Sequence, residues 1–241
     1  MRQLKECKGK YRKERQQEIN MAKVTYEMIR KNKQVNALIK TGNDALGVLG
    51  YTEHARIHAI IVAEVAARIL GELGYSKREL ELAKIAGYMH DIGNCVNRTD
   101  HAHNGAIMAF QILTELGMEP EDIAIVISAI GNHDERTGSA VNPVSAAIIL
   151  ADKTDVRRNR VRNKNMESFD MHDRVNYAVV KSKVYVNKKK STIRLDMILD
   201  ETHCTVMDYF EIFLDRMLMC RRAAEMLHLK FKLTANGGKV I

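Results

Sequence analysis

Six of the nine histidines in this 241-residue chain fall between positions 54 and 133, several of them where helical periodicity calls for apolar side chains. That conflict constrains the fold more than anything else in the sequence, because a buried polar group must find a partner. His58 precedes Val62 by four residues and Ala66 by eight, on the inward face of a helix expected over 53–73. His90 and Asp91 end the apolar run LAKIAGYMHDIG. Adjacent helical residues point about 100° apart, so this pair shares one ion only at the helix end, where Gly93 would let the chain turn away. GNHDE sets His133, Asp134 and Glu135 at another helix end, and Asp152 follows AAIIL in a helix that must be buried. Each residue alone has an ordinary reading as a satisfied core group. One cation contacted by all of them removes every anomaly together.

The surrounding pattern is helical. Only 2 prolines and 14 glycines interrupt a chain rich in Leu, Ala, Met, Glu and Lys, which argues against an all-β sandwich. Residues 1–40 read as one long charged helix with Ile19, Met21, Val24, Met28, Ile29 and Val35 as an imperfect stripe, and TGNDALGVLGYTEH as a turn. Ser76 and Glu79 have capping-box spacing before the next helix. Further helices are expected over 101–116, 120–132 and 143–157. After Met166 the texture changes: KSKVYVNKKKSTIRLDMIL alternates as a β-hairpin, a helix follows over 201–227, and FKLTANGGKVI closes with a short strand. The expected fold is mainly α, a helical bundle with a basic N-terminal helical arm (1–45), a metal-binding helical domain (46–165) and a small C-terminal α+β unit of ββαβ type (166–241).

Charge is distributed in the same three blocks: net +8 over residues 1–40, −7 over 41–150 and +7 over 151–241. An acidic, His-rich middle suits metal ions, and basic flanks suit an anionic ligand or a solvated surface. Four scattered cysteines without CxxC spacing exclude a zinc ribbon and a disulfide framework. No apolar run resembles a signal peptide or approaches the roughly 20 residues of a membrane span, and a cytoplasmic setting without membrane is expected.

The ordered set H…HD…D, carried by RIHAIIVAEVA, LAKIAGYMHDIGN, HAHNGAIMAF, AIGNHDERTG and AIILADKTDVRRNR, resembles the HD superfamily of metal-dependent phosphohydrolases over about 53–162. The resemblance implies His58, His90, Asp91 and Asp152 as four ligands. It adds His101 and His133 as further ligands of the two-metal subset, which includes cyclic-dinucleotide phosphodiesterases and dinucleoside tetraphosphatases. His103 is a rival to His101, and His54 is an ordinary surface histidine or a supporting one. The chain departs from the cyclic-dinucleotide pattern at Asp134, where a second histidine would stand, in RTGSAVNP in place of Gly-Tyr-Pro, and at Asn94 in place of lysine.

Such a donor set suits Mn, Fe, Ni, Co or Zn. Two ions about 3.5–4 Å apart would activate a water for attack on phosphorus, with Asp91 as bridge and Asp134 as a second catalytic carboxylate. Arg98, Lys153, Arg157 and Arg160 are the candidate contacts to substrate phosphate. The expected activity is hydrolysis of a nucleotide-like phosphate ester by a homodimeric hydrolase. The alternatives are a di-iron oxygenase with the same ligands and a non-catalytic nucleotide or nucleic-acid binding module. Nucleic acid is disfavoured because aromatics make up only 5% of the chain and no stacking motif is visible.

Overall fold

A computed structural model of the protein describes residues 23–240. Seven helices lead: α1 (Tyr26–Lys31), α2 (Lys33–Val48), α3 (Arg56–Leu73), α4 (Lys77–Met89), α5 (His101–Glu115), α6 (Pro120–Gly131) and α7 (Pro143–Lys153). Then come α8 (Met171–Ala178), the strands β1 (Val179–Asn187) and β2 (Thr192–Leu199), the long α9 (Val206–Met226), and β3 (Lys230–Ala235) with β4 (Gly238–Lys239). A 3-10 turn, Ile92–Cys95, joins α4 toward α5. No helix among the described residues is long and apolar enough to cross a membrane.

Local chemistry sets most of the boundaries. Ser76 and Glu79 form the expected capping box of α4, Pro120 opens α6 over two acidic residues, and Asn142 with Ser145 caps α7. Three expectations need correction. Between residues 23 and 48 there are two helices, broken at Asn32, whose side chain accepts from Val35 N–H. Ile19 and Met21 lie outside the described residues; Val24, Ile29 and Val35 are buried, but Met28 is exposed. The segment read as a turn continues α2 through Val48, because Gly42 packs flat on the 3-10 turn, 3.1 Å from Asn94 Cβ if it carried a Cβ. Finally, α7 ends at Lys153 rather than Arg157: the Thr154 hydroxyl donates back to Leu150 O (2.5 Å), and the chain leaves the helical path.

The sheet has the order β1-β2-β3-β4, with β1–β2 and β3–β4 antiparallel and β2–β3 parallel across α9. Its inner face, including Val184, Ile193, Leu195, Phe231 and Leu233, is buried with the apolar side of α9, which also packs on α7. One apolar core therefore runs from Val24 to Ala235. Within α9, Phe213 leaves helical geometry (φ −116°, ψ 16°) and kinks the helix where it passes the site described next.

Candidate metal centre

The centre is assembled by close helix packing. At Gly87 of α4 a Cβ would lie 2.8 Å from Ala63 Cα of α3. Only glycine allows this approach, which brings the rings of His58 and His90 to 5.1 Å. Gly93 does not serve as a left-handed cap, as its place after a helix end first indicates. A Cβ there would stand 2.0 Å from His101 O, so its role is to let the first turn of α5 lie on the 3-10 turn and deliver His101.

Four buried histidines converge on two carboxylates. His58 Nε2 is 3.3 Å from Asp152 Oδ1 and 3.8 Å from Asp91 Oδ2, and His90 Nε2 is 3.2 Å from Asp91 Oδ2 and 3.7 Å from Asp152 Oδ1. On the other side of Asp91, Oδ1 lies 3.6 Å from His101 Nε2 and 3.8 Å from His133 Nε2. Every ring is held by its other nitrogen: His90 Nδ1 donates to Gly87 O (2.8 Å), His101 to Arg98 O (3.0 Å), His133 to Ile130 O (2.6 Å) and His58 to Asp155 Oδ2 (2.7 Å). All four Nε2 atoms are thus turned inward with a fixed tautomer, the arrangement that prepares imidazoles as metal ligands. Buried His58 Nε2, His90 Nε2 and Asp91 Oδ2 have no hydrogen-bond partner among the described residues. Two groups, His58–His90–Asp152 and His90–Asp91–His133, keep their donor atoms within 4.8 Å of one another and could each hold an ion. Nitrogen and carboxylate donors left unpaired in a buried cluster fit divalent metal ions.

The electrostatics favour a cation. Burial alone would raise the carboxyls of Asp91 and Asp152, yet His90 and His133 around the first, and Lys153 and His58 around the second, hold both well below the usual range. Burial would likewise lower His90, but Asp91 and Asp152 push it up. Burial and the neighbouring His133 bring His101 down to about 4, leaving a neutral imidazole.

The other residues singled out in the sequence fall in distinct places. His103 is exposed and faces Asp100, while His101 is buried in the cluster. His54 precedes α3, so it does not share a helical face with His58; its Nδ1 donates to Thr52 O (2.7 Å) at the cleft wall. A cleft of about 710 Å³ opens over the ligands, and Asp134, Arg98, Lys153 and Arg160 line it. Arg98 lies 3.4 Å from His101 Nε2 and 3.2 Å from Asn94 Oδ1. Arg157 does not line the cleft. It binds both oxygens of Asp155 (2.6 and 3.1 Å), and buried Arg160 holds the Asp155 carbonyl (2.6 Å) and Glu53 O. Arg158 reaches Tyr177 O and Asp200, and Arg162 reaches Tyr51 O and Asn43. The arginine run is therefore mainly a set of ties between distant segments.

Two contributors were not singled out in the sequence. Asp155, which orients His58, was visible only as a second carboxylate three residues after Asp152. Arg216 of α9 gave no signal; its Nε donates to Glu135 (3.1 Å), which pairs with Lys153 (2.6 Å), which pairs with Asp152 (2.9 Å). The cleft is completed by α8 and α9, through Asp173, Asn176, Ile212 and Phe213 among others.

The family profile of the HD domain matches residues 56–157, a stretch that includes all six convergent side chains. An uncharacterised protein of Methanocaldococcus jannaschii is 32% identical over 163 residues, covering 58% of this chain and 62% of that one. Ribonuclease Y of Enterococcus faecalis is 30% identical over 119 residues, 49% of this chain and 21% of the relative. The chain thus spans under two thirds of the first relative and about a fifth of the second. A crystal structure of a predicted HD superfamily hydrolase from an uncultured Thermotogales bacterium aligns at a TM-score of 0.40 and 26% identity, over 50% of this chain and 67% of that one.

Proposed function

From the premise that residues 56–157 are an HD domain, we propose that the protein is a metal-dependent phosphohydrolase acting on a nucleotide-like phosphate ester. The observation that carries this reading is the set of inward Nε2 atoms around Asp91 and Asp152, three of whose donor atoms are buried without a partner. His58, His90, Asp91 and Asp152 would hold one divalent ion, and Asp91, His101 and His133 a second. When bound, such ions lower the pKa of a coordinated water toward neutrality and neutralise charge developing on a phosphoryl group.

The protein's own side chains account for the rest. Asp91 turns Oδ2 toward His58 and His90 and Oδ1 toward His101 and His133, so one carboxylate serves both sides. Arg98 and Arg160 stand on the cleft wall, where guanidinium groups match phosphate oxygens. Asp134, buried at the same wall, is positioned to exchange a proton with the leaving oxygen. Lys153 keeps its charge, pushed up by Asp152 and Glu135 against the cost of burial, and fixes Asp152 instead of meeting substrate.

Metal analysis of purified protein followed by a panel of phosphomonoesters, cyclic and linear dinucleotides and RNA, each with Mn²⁺, tests the proposal. RNA belongs in the panel because the match to ribonuclease Y supplies that substrate class. Stoichiometric metal with hydrolysis of one class is expected. Protein that takes up no divalent metal, or loaded protein that consumes O₂ and hydrolyses nothing, would sink it.

A further inference from the structure

The outer face of the sheet takes no part in the cleft: none of its residues lines it. The residues that alternate with the buried positions are Lys181, Lys183 and Tyr185 on β1, Arg194, Asp196 and Ile198 on β2, and Lys230, Lys232 and Thr234 on β3. With Lys239 on β4, six basic side chains stand exposed on one surface against a single carboxylate. That carboxylate is already engaged, since Asp196 binds Arg194 (2.6 Å) and accepts from the Thr234 hydroxyl (2.5 Å). The basic excess of the face is therefore free to meet an outside anion.

The face also carries an aromatic ring. Tyr185, 37% exposed, has two cations near its ring, with Lys183 Nζ 5.2 Å and the Arg194 guanidinium 5.6 Å from the centroid. Strand register sets Tyr185 opposite Arg194 and Arg194 beside Lys232, so ring, guanidinium and ammonium form one row across three strands. A parallel row runs Lys183, Asp196, Thr234, Lys239. No described element covers these rows, and adjacent strands are about 4.8 Å apart. A flat array of cations tracks a phosphate backbone, and an exposed ring among them offers a stacking platform for a base.

From this juxtaposition we infer that the outer face of the C-terminal sheet binds single-stranded nucleic acid, with Tyr185 stacking on a base and Lys183 and Lys232 contacting flanking phosphates. The low aromatic content concealed this, because a single well-placed ring serves. An acidic peptide or an anionic lipid surface would use the cations but has no base to lay on the ring.

Fluorescence anisotropy of a labelled single-stranded oligoribonucleotide of about 12 nucleotides, with the full chain in EDTA, tests it. Binding is expected to weaken steeply with salt. Lys183→Glu with Lys232→Glu should lower affinity at least about tenfold. Tyr185→Ala and Tyr185→Leu should each weaken oligonucleotide binding about fivefold or more while leaving affinity for heparin unchanged. Oligonucleotide binding that survives both Tyr185 variants, equal capture of phosphatidylserine vesicles or poly-glutamate, or no binding at all would overturn the inference. Hydrolysis of bis(p-nitrophenyl) phosphate by these variants should stay at the unsubstituted rate, so failure at the sheet and failure at the metal centre are read separately.

Discussion

Asp155 accepts from His58 Nδ1 while Arg157 and Arg160 surround it, and these contacts hold its carboxyl far below the ordinary range against the effect of burial. Asp155→Asn preserves shape but removes the charge that fixes the His58 tautomer, so metal affinity should fall roughly 10- to 100-fold, read by competition with a chromogenic chelator. His90→Ala and Asp91→Ala should abolish both bound metal and hydrolysis; elemental analysis showing full metal in both variants would remove the assigned centre. His90 carries a pH dependence of its own. Its raised pKa, set by Asp91 and Asp152 against burial, means that an ion must displace a proton from it. Metal affinity should therefore decline as pH falls through that pKa, with proton release on binding measurable by calorimetry in buffers of different ionisation enthalpy. His58, His90 and Asp152 were legible because their helical phase contradicts their polarity. Asp155 was not, because it lies beyond the helix end, where periodicity assigns no direction.

At the scale of elements, Gly93 and Arg216 make the strongest claims. Gly93→Ala would drive a Cβ into the His101 carbonyl, so α5 must move. Loss of stability of about 1–3 kcal/mol by overpacking is expected, together with loss of whichever metal His101 holds. Arg216 ties α9 to Glu135, whose carboxyl lies below its ordinary range because Lys153 and Arg216 outweigh burial. A depressed carboxyl adds stability above its unfolded pKa and loses it as pH falls toward the folded one. Arg216→Met should therefore melt earlier than the unsubstituted protein at pH 6, and the gap should narrow as pH is lowered below about 4. The capping box of α4, the leading proline and periodicity of α6 and the alternation of the hairpin β1–β2 could be read directly. The second half of α2 was hidden because Gly42 reads as a breaker until its packing partner is known, and α8 because eight residues carry little periodicity.

For the whole molecule, the shared core makes the centre and the sheet unfold together. Chelation should lower the melting temperature of metal-loaded protein, since the partly buried Asp91 and Asp152 then lose a counter-charge. An unchanged midpoint after verified metal removal would contradict this. Cys204 and Cys220 report on the same unit. Burial pushes their thiols up to about 11 and about 12, so both should resist alkylation at pH 8 in the folded protein and react once it unfolds. The course of α9 has one more consequence. It forms the roof of the cleft, yet it lies outside the stretch that supplies the donor atoms. Mutations in that roof can thus change which molecules are admitted while the reactive floor stays intact, and such a protein can acquire a new diet without having to reinvent its teeth.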